Sequence, residues 1–430
     1  MWSAVLVLGI WGLYAFYQLP HNYILSGFPL TFIVFIGASL LTLSYFLFIS
    51  MCAFAYRKAK ELPDSELPAC SVIVPAYNEG KHVAETLDSL MACDYPPEKM
   101  EVFAINDGSA DDTLLWIKKS AEKYPDRITV LDIKKNKGKK NALYQGIKAA
   151  AHDIIVTVDS DSIVQPDALR KLTSAFRDNK IGGVAGNIRI KNTNEGIFPK
   201  LMAVSLMFGF EVIRSSQSII GFVMCTPGAL SAYRKNACMP TIGKWLNQQF
   251  LGAPATIGED RALSSMILRN GYKVVYQRDA IAHTCMPTTF RGFVNTLLRW
   301  ARGDVRENLL MFYHMATFFP KNFTIIFRQF QIFMLLFNSL VAAAFPVTMA
   351  YCFISNILHP EALLAMLSTL WVGGVFCFVS SLIPVCVYSK RANFLDAVWG
   401  VIFPFLSLTI FAWIPLWAFI TVRNSKWLTR

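Results

Sequence analysis

Ile154-Ile-Val-Thr-Val-Asp-Ser-Asp-Ser162 is the stretch on which the reading of the fold turns. Its β-branched run makes a strand that can be buried on both faces, and the run stops on two acids. Asp159 and Asp161 stand two residues apart, so an extended chain presents both carboxylates on one side. Two hard carboxylates there would bind Mg²⁺ or Mn²⁺ loosely and leave positions for phosphate oxygens. A helix cap before Pro166 accounts for Asp161 as well, but it leaves Asp159 unexplained.

Outward from this strand the pattern repeats. Cys70–Pro75, Met100–Ile105, Ile128–Ile133, Ile154–Val158 and Ile181–Ala185 read as strands. Lys81–Met91, Asp111–Lys123, Lys139–Ala151 and Asp167–Asp178 read as helices between them. That alternation predicts an α/β domain with a parallel sheet, helices on both faces, and ligands at the carboxyl ends of the strands. The first strand delivers Tyr77, which can stack on a base, and Glu79, which can hold a ribose or a base edge. The second delivers Asp107, a candidate for a nucleobase or a metal, with Asp111 and Asp112 read as structural caps. Asn136-Lys-Gly-Lys-Lys-Asn-Ala142 opens a helix with cations suited to phosphate, although taken alone a solvated basic turn is the favoured reading. Glu259 and Asp260 open a later helix, where acids serve either as caps or as a general base. Arg299-Trp300 could meet a diphosphate and pack against a sugar.

The polar domain is set between apolar ends. Of 430 residues only 16% are charged and 54% are hydrophobic, whereas soluble domains carry about 25% charged residues. The net charge of +12 gathers beside apolar segments rather than in a stripe with aromatics, which argues for a membrane and against nucleic acid. Nine cysteines, an odd number without CxxC spacing, exclude a full disulfide framework and a clustered zinc site. Met1–Pro20, Phe28–Tyr56, Gln329–Leu358, Ala362–Ser389 and Ala397–Val422 are uncharged and long enough to cross a bilayer. Arg57, Lys58 and Lys60 place the polar domain on the cytoplasmic side. Pro404 and Pro415 leave the last segment open to a re-entrant reading. Phe290, Phe293, Val294, Leu297, Leu298 and Ala301 form a stripe beside Arg291, Arg299, Arg302 and Arg306, expected to lie in the membrane interface, with core packing as the alternative. The expected layout is two transmembrane helices in residues 1–56, a cytoplasmic domain in 57–287, amphipathic interface helices in 288–327, and about three membrane segments in 328–430.

Val74-Pro-Ala-Tyr-Asn-Glu79, Asn106-Asp-Gly-Ser109, Gly138-Lys139, Asp159-Ser-Asp161, Pro227-Gly228 before Tyr233-Arg234, Gly258-Glu-Asp-Arg261 and Arg299-Trp300 occur in that order. With the closing Trp427-Leu-Thr-Arg430, the set resembles membrane-integrated family 2 glycosyltransferases of the GT-A fold. The similarity is to chitin-oligosaccharide (nodulation-type), hyaluronan and poly-N-acetylglucosamine synthases. The resemblance implies that Tyr77, Glu79 and Asp107 hold the uracil and ribose of a UDP-sugar, with Lys139 near its phosphates or sugar. It implies that Asp161 ligates Mg²⁺ or Mn²⁺ with Asp159 beside it. Thr226, Pro227, Gly228 and Glu259 would line the acceptor site, Asp260 would be the base, and Arg299 and Trp300 would close over the pyrophosphate. Two positions depart from the family pattern: Thr296 stands where Gln-x-x-Arg-Trp begins, and Asn106 stands where an acid is common.

The expected activity is inverting transfer of a sugar, N-acetylglucosamine by resemblance, from a UDP-sugar to a growing glycan at a bacterial inner membrane, coupled to export. The rival is a non-processive enzyme that glycosylates a lipid such as a polyprenyl phosphate or a glycolipid. A carrier or nucleotide-sensing receptor is disfavoured, because few ionisable residues fall inside the apolar segments.

Overall fold

The computed structural model describes residues 28–317, 323–358, 399, 402–404, 406–407 and 409–425. These fall into two compact units, one built around a β-sheet (Met51–Phe333 with the segment from Ala418) and one of helical residues drawn from both ends of the chain.

The sheet has eight strands. In chain order they are β1 (Cys70–Ala76), β2 (Met100–Asp107), β3 (Ile128–Ile133), β4 (Ile154–Thr157), β5 (Ile163–Val164), β6 (Ile181–Ile190) and β7 (Ser231–Arg234), and then, beyond a small β8–β9 hairpin (Gln249–Phe250 with Ala253–Pro254), β10 (Lys273–Thr284). Their spatial order is β3-β2-β1-β4-β7-β6-β10-β5. Strands β1 to β4 run parallel, and every residue of β1 and β4 is buried. The alternation predicts a parallel sheet throughout, and the second half corrects that expectation. Strand β7 is antiparallel to both β4 and β6, and β5 is antiparallel to β10. The pairing of Ser231 with Thr157 brings the turn that precedes β7 to the carboxyl end of β4.

Four helices sit where the pattern places them: α1 (Phe28–Ala55) ahead of the sheet, then α2 (His82–Met91), α3 (Thr113–Lys123) and α4 (Lys139–Ala149) between strands. Helix α4 packs on β1 and β2 through Ala142, Leu143 and Ile147. The expected Asp167–Asp178 helix is α5 (Ala168–Thr173) continued by a 3₁₀ turn, Ser174–Arg177. Further on come α6 (Ile197–Phe208), α7 (Glu259–Arg269), α8 (Phe290–Ala316) and α9 (Phe323–Leu358).

Helices α1 and α9 coincide with two of the expected apolar segments. Within the described residues, Phe323–Val347 is long and apolar enough to cross a membrane, and Leu40–Ala55 is a shorter apolar helix. Met1–Pro20, Ala362–Ser389 and Trp427–Arg430 lie outside the described residues. The last apolar segment is interrupted at 410–412, between the two prolines, before a helix at Trp413–Ile420. Helix α8 is amphipathic as expected, but its basic face is only partly free. Arg302 and Arg306 are 3% and 1% exposed, buried alongside Phe293 and Leu298, so these two cations serve the protein interior rather than a lipid surface.

Candidate active site

The carboxyl edge of the sheet gathers two groups of side chains. At the ends of β1 and β2 the chain forms interlocked loops. The amides of Glu79 and Gly80 both donate to Thr113 Oγ1, at 2.8 and 2.9 Å, and Ala110 N–H donates to Asn78 Oδ1 at 2.9 Å. Tyr77 and Glu79 stand half-buried on this rim. Asp107 is buried, and its Oδ1 accepts from the Lys137 amide at 3.0 Å. Burial raises its pKa, and the Lys137 and Gly138 amides oppose that shift. Asn106 explains its own departure from the family pattern. Its amide nitrogen donates to Asp132 Oδ1 at 2.8 Å while its oxygen accepts from Ser109 N–H, so an acid here would set two carboxylates against each other.

The second group lies where β4 ends and α4 and α7 begin. Lys139 Nζ sits 2.5 Å from Asp159 Oδ1 and 3.0 Å from Glu259 Oε1. Burial works against the ammonium, but Asp159 and Glu259 together hold it above the usual lysine range. Glu259 is likewise buried, yet Lys139 and, more weakly, Arg299 keep its carboxyl below the ordinary value. Asp260 responds the other way: burial, reinforced by the Glu259 charge, pushes it up to about 6. Gly228 is tied to this cluster by space. A Cβ there would come within 2.7 Å of Lys139 Nζ and 3.0 Å of Asp159 Oδ2. Lys139, Asp159, Gly228, Glu259 and Asp260 line one narrow cleft, floored by Pro75 and Tyr233.

The expected acidic pair is thus divided. Asp159 turns to Lys139, whereas Asp161 remains half-exposed with the hydroxyls of Ser162 and Thr284 at 3.4 and 3.5 Å. One carboxylate flanked by hydroxyl oxygens suits a hard divalent cation that keeps most positions for water and phosphate. Among the described residues no three His, Cys, Asp or Glu side chains converge on a closed metal cage.

The family model described as glycosyltransferase like family 2 matches residues 68–303. The chain belongs to this family. It is a glycosyltransferase, and its relatives agree. An N-acetylglucosaminyltransferase of Azorhizobium caulinodans is 28% identical over 370 residues, covering 84% of this chain and 87% of the relative. A hyaluronan synthase of Streptococcus pyogenes is 27% identical over 386 residues, covering 88% and 86%. The fold is similar to that of a mannosyltransferase from Pyrobaculum calidifontis, solved with GDP-Man and Mn²⁺. The TM-score is 0.53 at 20% identity, covering 91% of this chain and 94% of the other. The mixed sheet is therefore of the GT-A type.

The remaining sequence candidates take definite places in this glycosyltransferase. Thr226 is fully buried, and its hydroxyl is 2.7 Å from Tyr233 Oη and 2.6 Å from Ser264 Oγ, whereas Gly228, two residues on, is half-buried. The Pro227 carbonyl accepts from Ser231 Oγ at the start of β7. Arg299 and Trp300 are half-buried on α8, and Thr296, one turn earlier, is 3% exposed. Trp245 escaped the sequence reading. Its indole N–H donates to the Glu259 carbonyl at 2.8 Å, a link between distant positions that no local pattern announces.

Proposed function

We propose that this glycosyltransferase transfers N-acetylglucosamine from a UDP-sugar to a growing glycan by inverting displacement at the cytoplasmic face of a membrane. The observation that carries the reading is Asp260, a half-buried carboxyl raised to about 6 beside the Lys139–Asp159–Glu259 cluster. A base poised near the working pH both accepts and yields a proton readily. The names of the Azorhizobium and Streptococcus relatives support an amino-sugar donor and a polymeric product.

In this reading Tyr77, Glu79 and Asp107 hold the uracil and ribose. Asp161 would hold the divalent ion, Mg²⁺ or Mn²⁺, whose charge stabilises the leaving diphosphate. Lys139 and Arg299 add positive charge at the phosphates, and Trp300 packs over them. Gly228 keeps the cleft wall low, so that an acceptor hydroxyl approaches between Asp159 and Asp260, with Glu259 beneath. Asp260 takes the hydroxyl proton as the oxygen bonds to the anomeric carbon. The bond to the diphosphate breaks on the opposite face, and its electron pair leaves with UDP. The apolar helices on either side would anchor the domain and pass the product outward, with α8 at the bilayer surface through its exposed residues.

The test is UDP release by the full chain in lipid nanodiscs with Mg²⁺ or Mn²⁺, supplied with UDP-N-acetylglucosamine alone and then with UDP-glucuronate, and with the product sized. Release with the single donor and a hydrophilic ladder is expected. Asp260→Asn should keep UDP binding and lower kcat by about 10³-fold. Near-normal turnover in that variant would overturn the assignment. An organic-phase product would favour the lipid acceptor instead. Polymer inside sealed inverted vesicles is expected if synthesis and export are coupled; product confined to the donor side would separate them.

A further inference from the structure

Three alternate carbonyls in the segment that leads into α7 each receive a buried side-chain donor, and each donor comes from a different element. Lys140 of α4 donates to the Ala255 carbonyl at 3.0 Å. Arg306 of α8 donates through Nη2 to the Ile257 carbonyl. Trp245, from the short helix Ile242–Leu246, donates to the Glu259 carbonyl at 2.8 Å. Lys140, Arg306 and Trp245 are 6%, 1% and 0% exposed. Two of the donors, Arg306 and Lys140, are themselves joined. Glu307 Oε1 accepts from Arg306 Nε at 3.2 Å and from Gln248 Nε2 at 2.8 Å, and Lys140 Nζ lies 3.4 Å from Gln248 Oε1.

The segment needs this support because it is not regular. Gly258 stands in the left-handed region at φ +68°, and a Cβ there would come within 3.3 Å of both Gly303 Cα and Arg306 Nη2. The tight apposition of α7 and α8 at this glycine puts the Arg306 guanidinium against the backbone just before Glu259-Asp260. Arg306 follows Arg299 by two helical turns, so the helix that carries Arg299 and Trp300 also grips the base-bearing segment.

We propose that Arg306, Trp245 and Lys140 form a three-point backbone clamp that positions Asp260, with Arg306 coupling the placement of α8 to that of the base. The inference rests on Asp260 being the base. The clamp touches no reacting atom; it fixes where the carboxylate stands, and a displacement of about 1 Å at a reacting group can cost about 10²-fold in rate.

Trp245→Phe keeps an aromatic ring but loses the N–H together with the five-membered part of the indole, so it should fold with a lowered melting temperature and lower kcat by about 5- to 10-fold. Arg306→Met should lower kcat by about 10²-fold and Arg306→Lys should restore part of that loss, with donor KM and UDP affinity within about twofold of wild type in all three. Melting temperature and elution volume identify any variant that fails to fold, in which case Trp245→Phe decides. The clamp is overturned if folded Trp245→Phe and Arg306→Lys proteins turn over at the wild-type rate, or if their loss lies in KM alone. Failure of the underlying reading has a different signature: Asp260→Asn would stay active whatever the clamp variants do.

Discussion

The two ends of the active-site edge each hold a carboxyl that accepts a main-chain amide, and they differ in the side-chain charge around it. Asp107, at the end of β2, is raised by burial and steadied by the main-chain amides of Lys137 and Gly138. Asp260, at the start of α7, also accepts a main-chain amide, from Arg261 at 2.7 Å, but burial and the Glu259 charge raise it to about 6, with Lys139 relieving it. Amides are fixed by the fold and survive side-chain substitution. Ion pairs are removed with a single codon, and the partner left behind remains in a low-dielectric site. On the proposed roles, the nucleotide end should tolerate side-chain mutation better than the transfer end.

The largest effect that would test this contrast is Lys139→Met. It leaves Asp159 and Glu259 facing each other without their shared cation. Lys139 and Asp159 are partly exposed and only Glu259 is buried, so losing the cation should cost about 1–3 kcal/mol, lower the melting temperature by a few degrees and lower turnover by more than about 10²-fold. Retention of wild-type stability would mean that solvent, not Lys139, neutralises these acids.

A pH titration comes next. As a base, Asp260 works only when ionised, so kcat should drop about tenfold per unit below pH 6. Stability should run the opposite way. A carboxyl raised in the folded state contributes stability below its unfolded value near 4, and that contribution is lost as pH rises through 6. Asp260→Asn should abolish both dependences and be more thermostable than wild type at pH 7. A wild-type acid limb near 4, the ordinary carboxylate range, would place Asp260 in water rather than in the cluster.

The same division governs what the residues announce in advance. The parallel half of the sheet is legible because Cys70–Ala76 and Ile154–Thr157 are buried on both faces and bracketed by amphipathic helices. The far half, with its two reversed strands, is not. The reversed Ser231–Arg234 is four residues of mixed polarity, and Lys273–Thr284, parallel to β6, changes register between Tyr276 and Ile281, around the polar Gln277, Arg278 and Asp279. In the site, acids at strand ends and at a helix start can be found one motif at a time, which picks out Asp107, Asp159, Asp161 and Asp260 as candidates. Their partnerships cannot be found in this way. The grip of Lys139 on Glu259, the burial of the Thr226 hydroxyl against Tyr233 and Ser264, and the inward turn of Arg302 and Arg306 all depend on packing between distant segments. A helical stripe shows which side of α8 is polar; it does not show that protein already covers that side.

Gly228→Ala probes the transfer end more gently. The added methyl would stand 2.7 Å from Lys139 Nζ, the mobile tip of a long side chain, so the fold can yield while the ion pair shifts. Turnover should fall by about tenfold with the melting temperature within about 2 °C of wild type. A loss confined to stability would show that the glycine serves packing and not the cleft.

Lys137→Ala should have the smallest effect, and its smallness is the point. Lys137 and Lys139 are two residues apart, both cations beside a carboxylate. Lys139 meets its acids through the ammonium; Lys137 meets Asp107 through the backbone N–H, which alanine also has, while its side chain is exposed. Its charge adds only the weakest of the effects that lower the Asp107 pKa, and salt screens an exposed charge of this kind. Donor KM should rise by less than about threefold at about 0.15 M salt, with kcat unchanged. Lys137→Pro, by contrast, deletes the donor itself, and should weaken UDP binding by about tenfold through the hydrogen bond that it takes from a carboxylate. If alanine weakened binding as much as proline, the amide would not be what holds Asp107, and both ends of the site would depend on side-chain charge alike.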